Sequence, residues 1–181
     1  SAIFDFTKVL SINSYSYESF YSRGVSFSRQ SKFYHAILDF TSAIQINPRS
    51  PDLHYNRALA LRKLSKHELA LKDYTKAIEL NPKHFQALNN RGLTYRDLKK
   101  FRNAIVDFKD STKANPEFFD GYWNRSLTHL MIGEYEEAWR LYEYRWKSVG
   151  FTSQKRKFSQ PLWLGGSDLS NRTILLHSEQ G

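Results

Sequence analysis

Two kinds of side chain recur in this sequence at a spacing that could do chemistry. Arginine stands at Arg23, Arg57, Arg91 and Arg125, and aspartate at Asp5, Asp39, Asp73 and Asp107, each series stepping by 34 residues. Guanidinium and carboxylate groups can pair and fix two elements against each other, whereas a row of unpaired guanidinium groups would bind phosphate. Because the two columns share one period, ion pairs that set helix register are the expected role. Asparagine recurs in the same way at Asn56, Asn90 and Asn124. A side-chain amide offers both a donor and an acceptor, which matches the N–H and C=O of an extended peptide backbone.

Other chemistry is missing. None of the six histidines forms a HExxH pair or stands at a metal spacing with carboxylates. His54 and His129 fall on apolar positions and are expected to be packed there. Glu134, Glu136 and Glu137 open a helix, where carboxylates favour the helix dipole. There is no nucleophile elbow, phosphate loop or dinucleotide fingerprint, and Gly165-Gly166-Ser167 reads as a turn. With no cysteine, disulfides, thiolate metal sites and cysteine nucleophiles are excluded. No catalytic residue, metal or cofactor is expected, and a cytoplasmic setting is.

The elements that position these columns follow from the period. Ile46-Asn47-Pro48, Leu80-Asn81-Pro82 and Ala114-Asn115-Pro116 place their prolines 34 residues apart, and residues 2–13 align with 36–47 without a gap. Places within each repeat are counted from Tyr17, Pro51, Phe85 and Phe119. The eighth is small (Gly24, Ala58, Gly92, Ser126), the twentieth alanine (Ala36, Ala70, Ala104, Ala138) and the twenty-fourth aromatic (Phe40, Tyr74, Phe108, Tyr142). Apolar places 4, 8 and 11 share one helix face, and places 17, 20, 24 and 27 share a second. Small residues let the two helices approach, and the aromatic ring fills the space beside them. Asn-Pro ends the second helix, since proline cannot continue it and asparagine tolerates a left-handed turn. Ser50-Pro51 reads as a cap and first turn.

Composition agrees. Forty per cent hydrophobic and 15% aromatic residues supply a core, so disorder is not expected. No apolar run approaches the length of a membrane span, and SAIFDF is not a signal peptide. A start at Ser1 without Met suggests a cut or processed chain. A net charge of +9 favours an acidic partner, although the basic residues are spread along the sequence.

The 34-residue period, the small–Ala–aromatic columns and the closing proline resemble the tetratricopeptide repeat. The resemblance implies an all-α fold, a right-handed α-solenoid of antiparallel helix pairs. It covers residues 1–150: a half-repeat (1–14), three regular repeats (17–50, 51–84, 85–118) and a divergent fourth (119–152). Helices should cover two-thirds or more of this region, with no strand between residues 17 and 147.

In this family the first helices line a concave groove that holds a protein or peptide. The expected groove residues are Tyr21, Tyr55, Asn56, Arg62, Lys63, Asn89, Asn90, Arg96, Trp123 and Asn124: aromatic, amide-lined and basic along one edge. Asn56, Asn90 and Asn124 are expected to form a solvent-exposed ladder, similar to that of the O-linked N-acetylglucosamine transferases. The carboxylate clamp that grips acidic chaperone tails has no counterpart, because its places hold Tyr21, Val25, Gln86 with Asn90, and Asp120 with Asn124. An RNA-binding helical repeat is the alternative, but a near-constant asparagine column gives little base discrimination, so nucleic acid is not the expected partner.

Residues 151–161 read as a basic linker, and Thr173–His177 as a buried strand. Trp139, Arg140, Tyr142, Glu143, Arg145 and Trp146, then Pro161, Trp163 and Gly165, then Leu175, Leu176, His177, Glu179, Gln180 and Gly181, resemble a segment of bacterial repeat proteins that leads into a Rossmann-like glycosyltransferase domain. The resemblance implies that residues 151–181 are a linker and the start of such a domain. Ala2, Phe6 and Val9 at one end and strand 173–177 at the other are expected to be left uncovered. Self-association would follow, or a tail folded back with Trp163 near Trp139 and Trp146.

Overall fold

The computed structural model describes residues 2–149 and 151. They form nine α-helices and a short terminal 3-10 helix: α1 (Ala2–Ile12), α2 (Tyr17–Arg29), α3 (Phe33–Ile46), α4 (Pro51–Lys63), α5 (His67–Leu80), α6 (Phe85–Asp97), α7 (Phe101–Ala114), α8 (Phe119–Met131) and α9 (Tyr135–Tyr142), then Glu143–Lys147. No strand occurs among the described residues. The fold is the expected α-solenoid of helix pairs: α2 packs on α3, α4 on α5, α6 on α7 and α8 on α9, with α1 stacked on α2 as an unpaired second helix. No helix among them is long and apolar enough to cross a membrane.

Turn chemistry sets the helix boundaries. Each first helix ends in a reversed six-residue loop, seen in the bonds from Lys32 N to Phe27 O, Lys66 N to Leu61 O, Lys100 N to Tyr95 O and Glu134 N to His129 O. The residue before each of those donors is left-handed: Ser31, Ser65 and Lys99 at φ 58°, 56° and 58°, and Gly133 at 77°. The asparagines are not, contrary to expectation. Asn47, Asn81 and Asn115 sit at φ −128°, −139° and −139°. Two of them work through their side chains: Asn81 Oδ1 accepts from Lys83 N at 3.1 Å and Asn115 Oδ1 from Glu117 N at 3.1 Å. Ser50 is the N-cap of α4 without a side-chain cap bond, and Pro51 follows at the first helical position.

The core is the predicted column, except that Tyr142 of the fourth repeat is half-buried. Ala36, Phe40, Ala70, Tyr74, Ala104, Phe108 and Ala138 are wholly buried. Burying each ring stabilises the fold by about 2 kcal/mol. The approach is close enough that a Cβ on Gly24 would come within 2.7 Å of Phe40, and one on Gly92 within 2.8 Å of Phe108. The Tyr74 hydroxyl is buried with no hydrogen-bond partner among the described residues, and burial pushes its pKa up.

First helices touch one another along the stack, α2 with α4, α4 with α6 and α6 with α8, while consecutive second helices do not. The layer whose members touch lies on the inside of the bend, so the first helices line the concave face. On α1, Ala2 is exposed, Val9 is 44% exposed and Phe6 is half-buried. Strand 173–177 and the fold-back of Trp163 lie outside the described residues.

Candidate functional site

Place 5 of one first helix meets place 6 of the next. Asn56 Nδ2 donates to the Tyr21 hydroxyl at 3.4 Å, Asn90 Nδ2 to the Tyr55 hydroxyl at 3.3 Å, and Asn124 Nδ2 to Asn89 Oδ1 at 3.1 Å. The same Nδ2 atoms of Asn56 and Asn90 also donate to Asp52 O (2.8 Å) and Gln86 O (2.9 Å) one turn back. The ladder therefore exists, but not as an open row of amides. The three asparagines are half-buried, because the neighbouring repeat's side chain leans onto each. Their donors are engaged, while their Oδ1 acceptors bond to nothing among the described residues.

The other expected groove residues divide. Tyr21 and Tyr55 are half-buried rung partners, with phenol pKa values raised chiefly by burial. Asn89 is 6% exposed and serves Asn124. Arg62 binds Asp97 on α6 through Nε and Nη2 at 3.0 and 2.7 Å. Arg96 is half-buried, and burial lowers its pKa. Of the basic rim expected here, Arg62 is tied to Asp97 and Arg96 is half-buried, while Lys63 is exposed.

At the fourth repeat Trp123 is half-buried, its ring edge-on to Phe151 at 5.2 Å, and Phe151 is edge-on to Trp146 at 5.1 Å. The Trp123 indole N–H is buried without a hydrogen-bond partner among the described residues. Tyr144 stacks on Tyr122 at 4.2 Å, and buried Arg145 lies over Tyr142 and Trp146 at 4.2 and 4.4 Å. Aromatic packing thus closes the tail of the array.

The arginine and aspartate columns pair as expected. Arg23 reaches Asp39 at 2.8 and 2.7 Å, Arg57 reaches Asp73 at 2.7 and 2.8 Å, and Arg91 reaches Asp107 at 2.8 Å twice. Each arginine also donates through Nη1 at 3.1 Å to a threonine of the preceding second helix, Thr7, Thr41 or Thr75. That threonine column was visible in the sequence at the same period and was missed. These guanidinium groups are consumed by structure, which removes them as phosphate ligands.

His54 and His129 are buried at 7% and 6% exposure, as expected. His54 Nε2 lies 3.0 Å from Pro48 O and its Nδ1 lies 3.7 Å from Asp73. His129 Nδ1 lies 2.7 Å from Glu134. Beyond opening α9, Glu134 pairs with Arg102, and Glu137 with Arg125 and Arg140. No group of three or more metal-ligating side chains comes together among the described residues.

The tetratricopeptide repeat pattern matches residues 51–84 and, in a second version, 73–105. No curated protein is a significant match to the sequence. Among solved structures, MamA superposes with a TM-score of 0.75 at 20% identity, over 78% of this chain and 83% of that one. A tetratricopeptide repeat protein from Parabacteroides merdae gives 0.71 at 27% identity, over 78% and 57%. The first repeat domain of Spaghetti (RPAP3), bound to the HSP90 peptide SRMEEVD, gives 0.63 at 25% identity, over 65% and 93%. Residues 51–105 thus carry the tetratricopeptide repeat pattern, and the helix pairs described above share the fold of these solved repeat structures.

Proposed function

We propose that this array is a scaffold that holds an extended stretch of another protein along its concave face, and that it does not itself catalyse a reaction. The observation that carries the reading is the rung geometry. Asn56, Asn90 and Asn124 are each fixed by a bond to the neighbouring repeat and keep an acceptor oxygen open. Fixed acceptors one repeat apart suit backbone N–H groups of a peptide and place little demand on its side chains. Tyr21, Tyr55 and Trp123 supply stacking surface beside them. The Spaghetti domain in complex with a peptide supports the general mode. The acidic-tail clamp has no residues here, so that peptide is not the expected ligand.

A selection of random twelve-residue peptides on the immobilised protein, followed by titration of the binders, tests the reading. Asn56→Ala/Asn90→Ala/Asn124→Ala should weaken selected peptides at least about tenfold, at about 0.5–1.5 kcal/mol per lost hydrogen bond. Unchanged affinity in a variant that stays helical would make the ladder purely structural. On the resemblance of residues 139–146 and 161–181 alone, we further propose that the scaffold is the substrate-recruiting or assembly part of a larger glycosyltransferase. Sugar transfer by the full reading frame to a protein captured by this array tests that assignment, and a reading frame with no transferase domain would end it.

A further inference from the structure

We propose that the edge formed by the first three turns between paired helices is a second docking surface, for a short acidic segment of a partner protein. This inference is independent of the groove. The basic residues look scattered in the sequence, but the fold gathers them. Every passage from a first helix to its second lies on the same edge of the stack. Neighbouring passages touch: Lys66 Nζ sits 5.3 Å over the Tyr34 ring, Lys100 lies 3.6 Å from Glu68, and Arg102 bonds Glu134. Within residues 29–35, 63–69 and 97–103 stand seven exposed cations, Arg29, Lys32, Lys63, Lys66, Lys99, Lys100 and Arg102. The same turns hold two anions, Asp97, which is bound to Arg62, and Glu68, which is beside Lys100. With Arg102 paired to Glu134, five cations, Arg29, Lys32, Lys63, Lys66 and Lys99, keep no carboxylate partner among the described residues. The opposite edge is mixed, with Arg49 and Lys83 against Glu18, Asp52 and Glu117.

Stability does not explain this edge. Lys32, Lys66 and Lys100 are the N-caps of α3, α5 and α7, and none makes a side-chain cap bond. That place favours hydroxyls and carboxylates, and the positive end of the helix dipole opposes a cation there. Three unfavourable choices of one sign at one place point to a use outside the fold.

The fourth turn fixes the partner's length. Residues 131–137 contain Glu134, Glu136 and Glu137 and no cation, so the basic row stops after the third turn. A nucleic-acid duplex or an anionic membrane would run on past that point and meet carboxylates. Helices packed about 8–10 Å apart spread three turns over about 20 Å. An extended chain at about 3.3 Å per residue crosses that with about six residues. Lysine ammonium groups, being mobile point charges, suit a flexible run of Asp and Glu without demanding a fixed geometry.

The probe is a fluorescein-labelled hexaglutamate peptide, titrated by anisotropy at low salt. Lys32→Glu/Lys66→Glu/Lys100→Glu tests the edge, and Glu134 at the same place of the fourth repeat shows that the fold accepts glutamate there. Arg49→Glu/Lys83→Glu/Lys113→Glu makes the same change in net charge elsewhere. The edge triple should lose about tenfold or more in affinity and the control less than about threefold, with wild-type binding falling as salt rises. Equal losses in the two triples would overturn the proposal, because net charge alone would then explain binding. Tighter binding of a twenty-base-pair duplex or phosphatidylserine vesicles than of hexaglutamate, lost in the edge triple, would overturn the assignment to an acidic protein segment. The groove triple Asn56→Ala/Asn90→Ala/Asn124→Ala should leave hexaglutamate binding unchanged.

Discussion

The first three repeats and the fourth solve the same packing problem with different polar partners. In each of the first three, an arginine on the first helix takes a bidentate grip on an aspartate of its own second helix and reaches a threonine behind it. In the fourth, Leu141 stands where the aspartate should be and Lys109 where the threonine should be. Arg125 turns instead to Glu137 in the first turn of α9, and its Nε is buried without a hydrogen-bond partner among the described residues. The fourth repeat compensates with rings, stacking Tyr144 on Tyr122 and enclosing Arg145 between Tyr142 and Trp146. A repeat can therefore lose its register-setting ion pair where the chain behind it supplies apolar cover.

The largest expected effect that would sharpen this contrast lies in the arginines. Arg57→Met strands the buried Asp73 carboxylate and should cost about 3 kcal/mol. Arg125→Met leaves Glu137 with Arg140 and should cost less than about 1 kcal/mol. Urea unfolding of both variants checks this, and equal losses would erase the distinction between the repeats.

Next comes the eighth place. Gly92→Val puts a branched Cβ against Phe108, where even a single methyl meets the ring at 2.8 Å, so a loss of about 2 kcal/mol is expected. Ser126 in the fourth repeat instead donates to Ala138 O at 2.8 Å, so Ser126→Ala should cost about 1 kcal/mol through the lost bond. Thermal melts of the two variants order them, and a larger loss at Ser126 would contradict the close-approach argument.

A subtler contrast separates two regular repeats. Burial pushes the Asp73 carboxyl up, but Arg57 and His54 more than offset it and hold its pKa below the usual value. At Asp107 burial wins over Arg91 and the pKa is raised; Leu88 stands where His54 does. The depressed Asp73 gives stability that is present above the unfolded carboxylate value near 4 and lost as pH falls through the lower folded value. The raised Asp107 opposes folding above its folded pKa and ceases to do so as pH falls. Wild-type stability relative to Asp73→Asn should therefore shrink on acidification, and relative to Asp107→Asn should grow. Parallel pH slopes for the two variants would refute the role given to His54.

The smallest effect concerns the left-handed turn residue. Ser65→Gly should gain about 1 kcal/mol, and Gly133→Ala should lose about as much, because only glycine takes positive φ without a Cβ penalty. Denaturant midpoints for both variants check the sign.

Much of this was legible in the sequence. The period, the small–Ala–aromatic columns and the Arg and Asp columns placed the helix pairs and their ion pairs, because identical local contacts repeat with identical spacing. What could not be read were the bonds between the first helices of successive repeats. The bonds Tyr21–Asn56 and Arg62–Asp97 each join residues 35 apart, one more than the period, so no single column shows them. That offset is why the asparagines were expected to be exposed and are half-buried. The asparagine before each proline was assigned a left-handed backbone that belongs to Ser31, Ser65, Lys99 and Gly133, since a propensity names a residue type and not the turn it serves. The basic edge was hidden because charges distant in sequence become neighbours only once the stack forms.

The triplets Thr7–Arg23–Asp39, Thr41–Arg57–Asp73 and Thr75–Arg91–Asp107 each tie one unit to the one before it. In a quasi-one-dimensional stack, cooperativity resides in such nearest-neighbour couplings. Opening any of the first three units strips a guanidinium of partners on two sides, so a break there spreads to its neighbours. At the joint between α7 and α8 the sequence offers Lys109 in place of threonine, and the coupling of that kind ends. The joint before the fourth unit keeps the Asn124–Asn89 and Arg102–Glu134 bonds but lacks this coupling, so hydrogen exchange should show weaker protection beyond it than within the first three units.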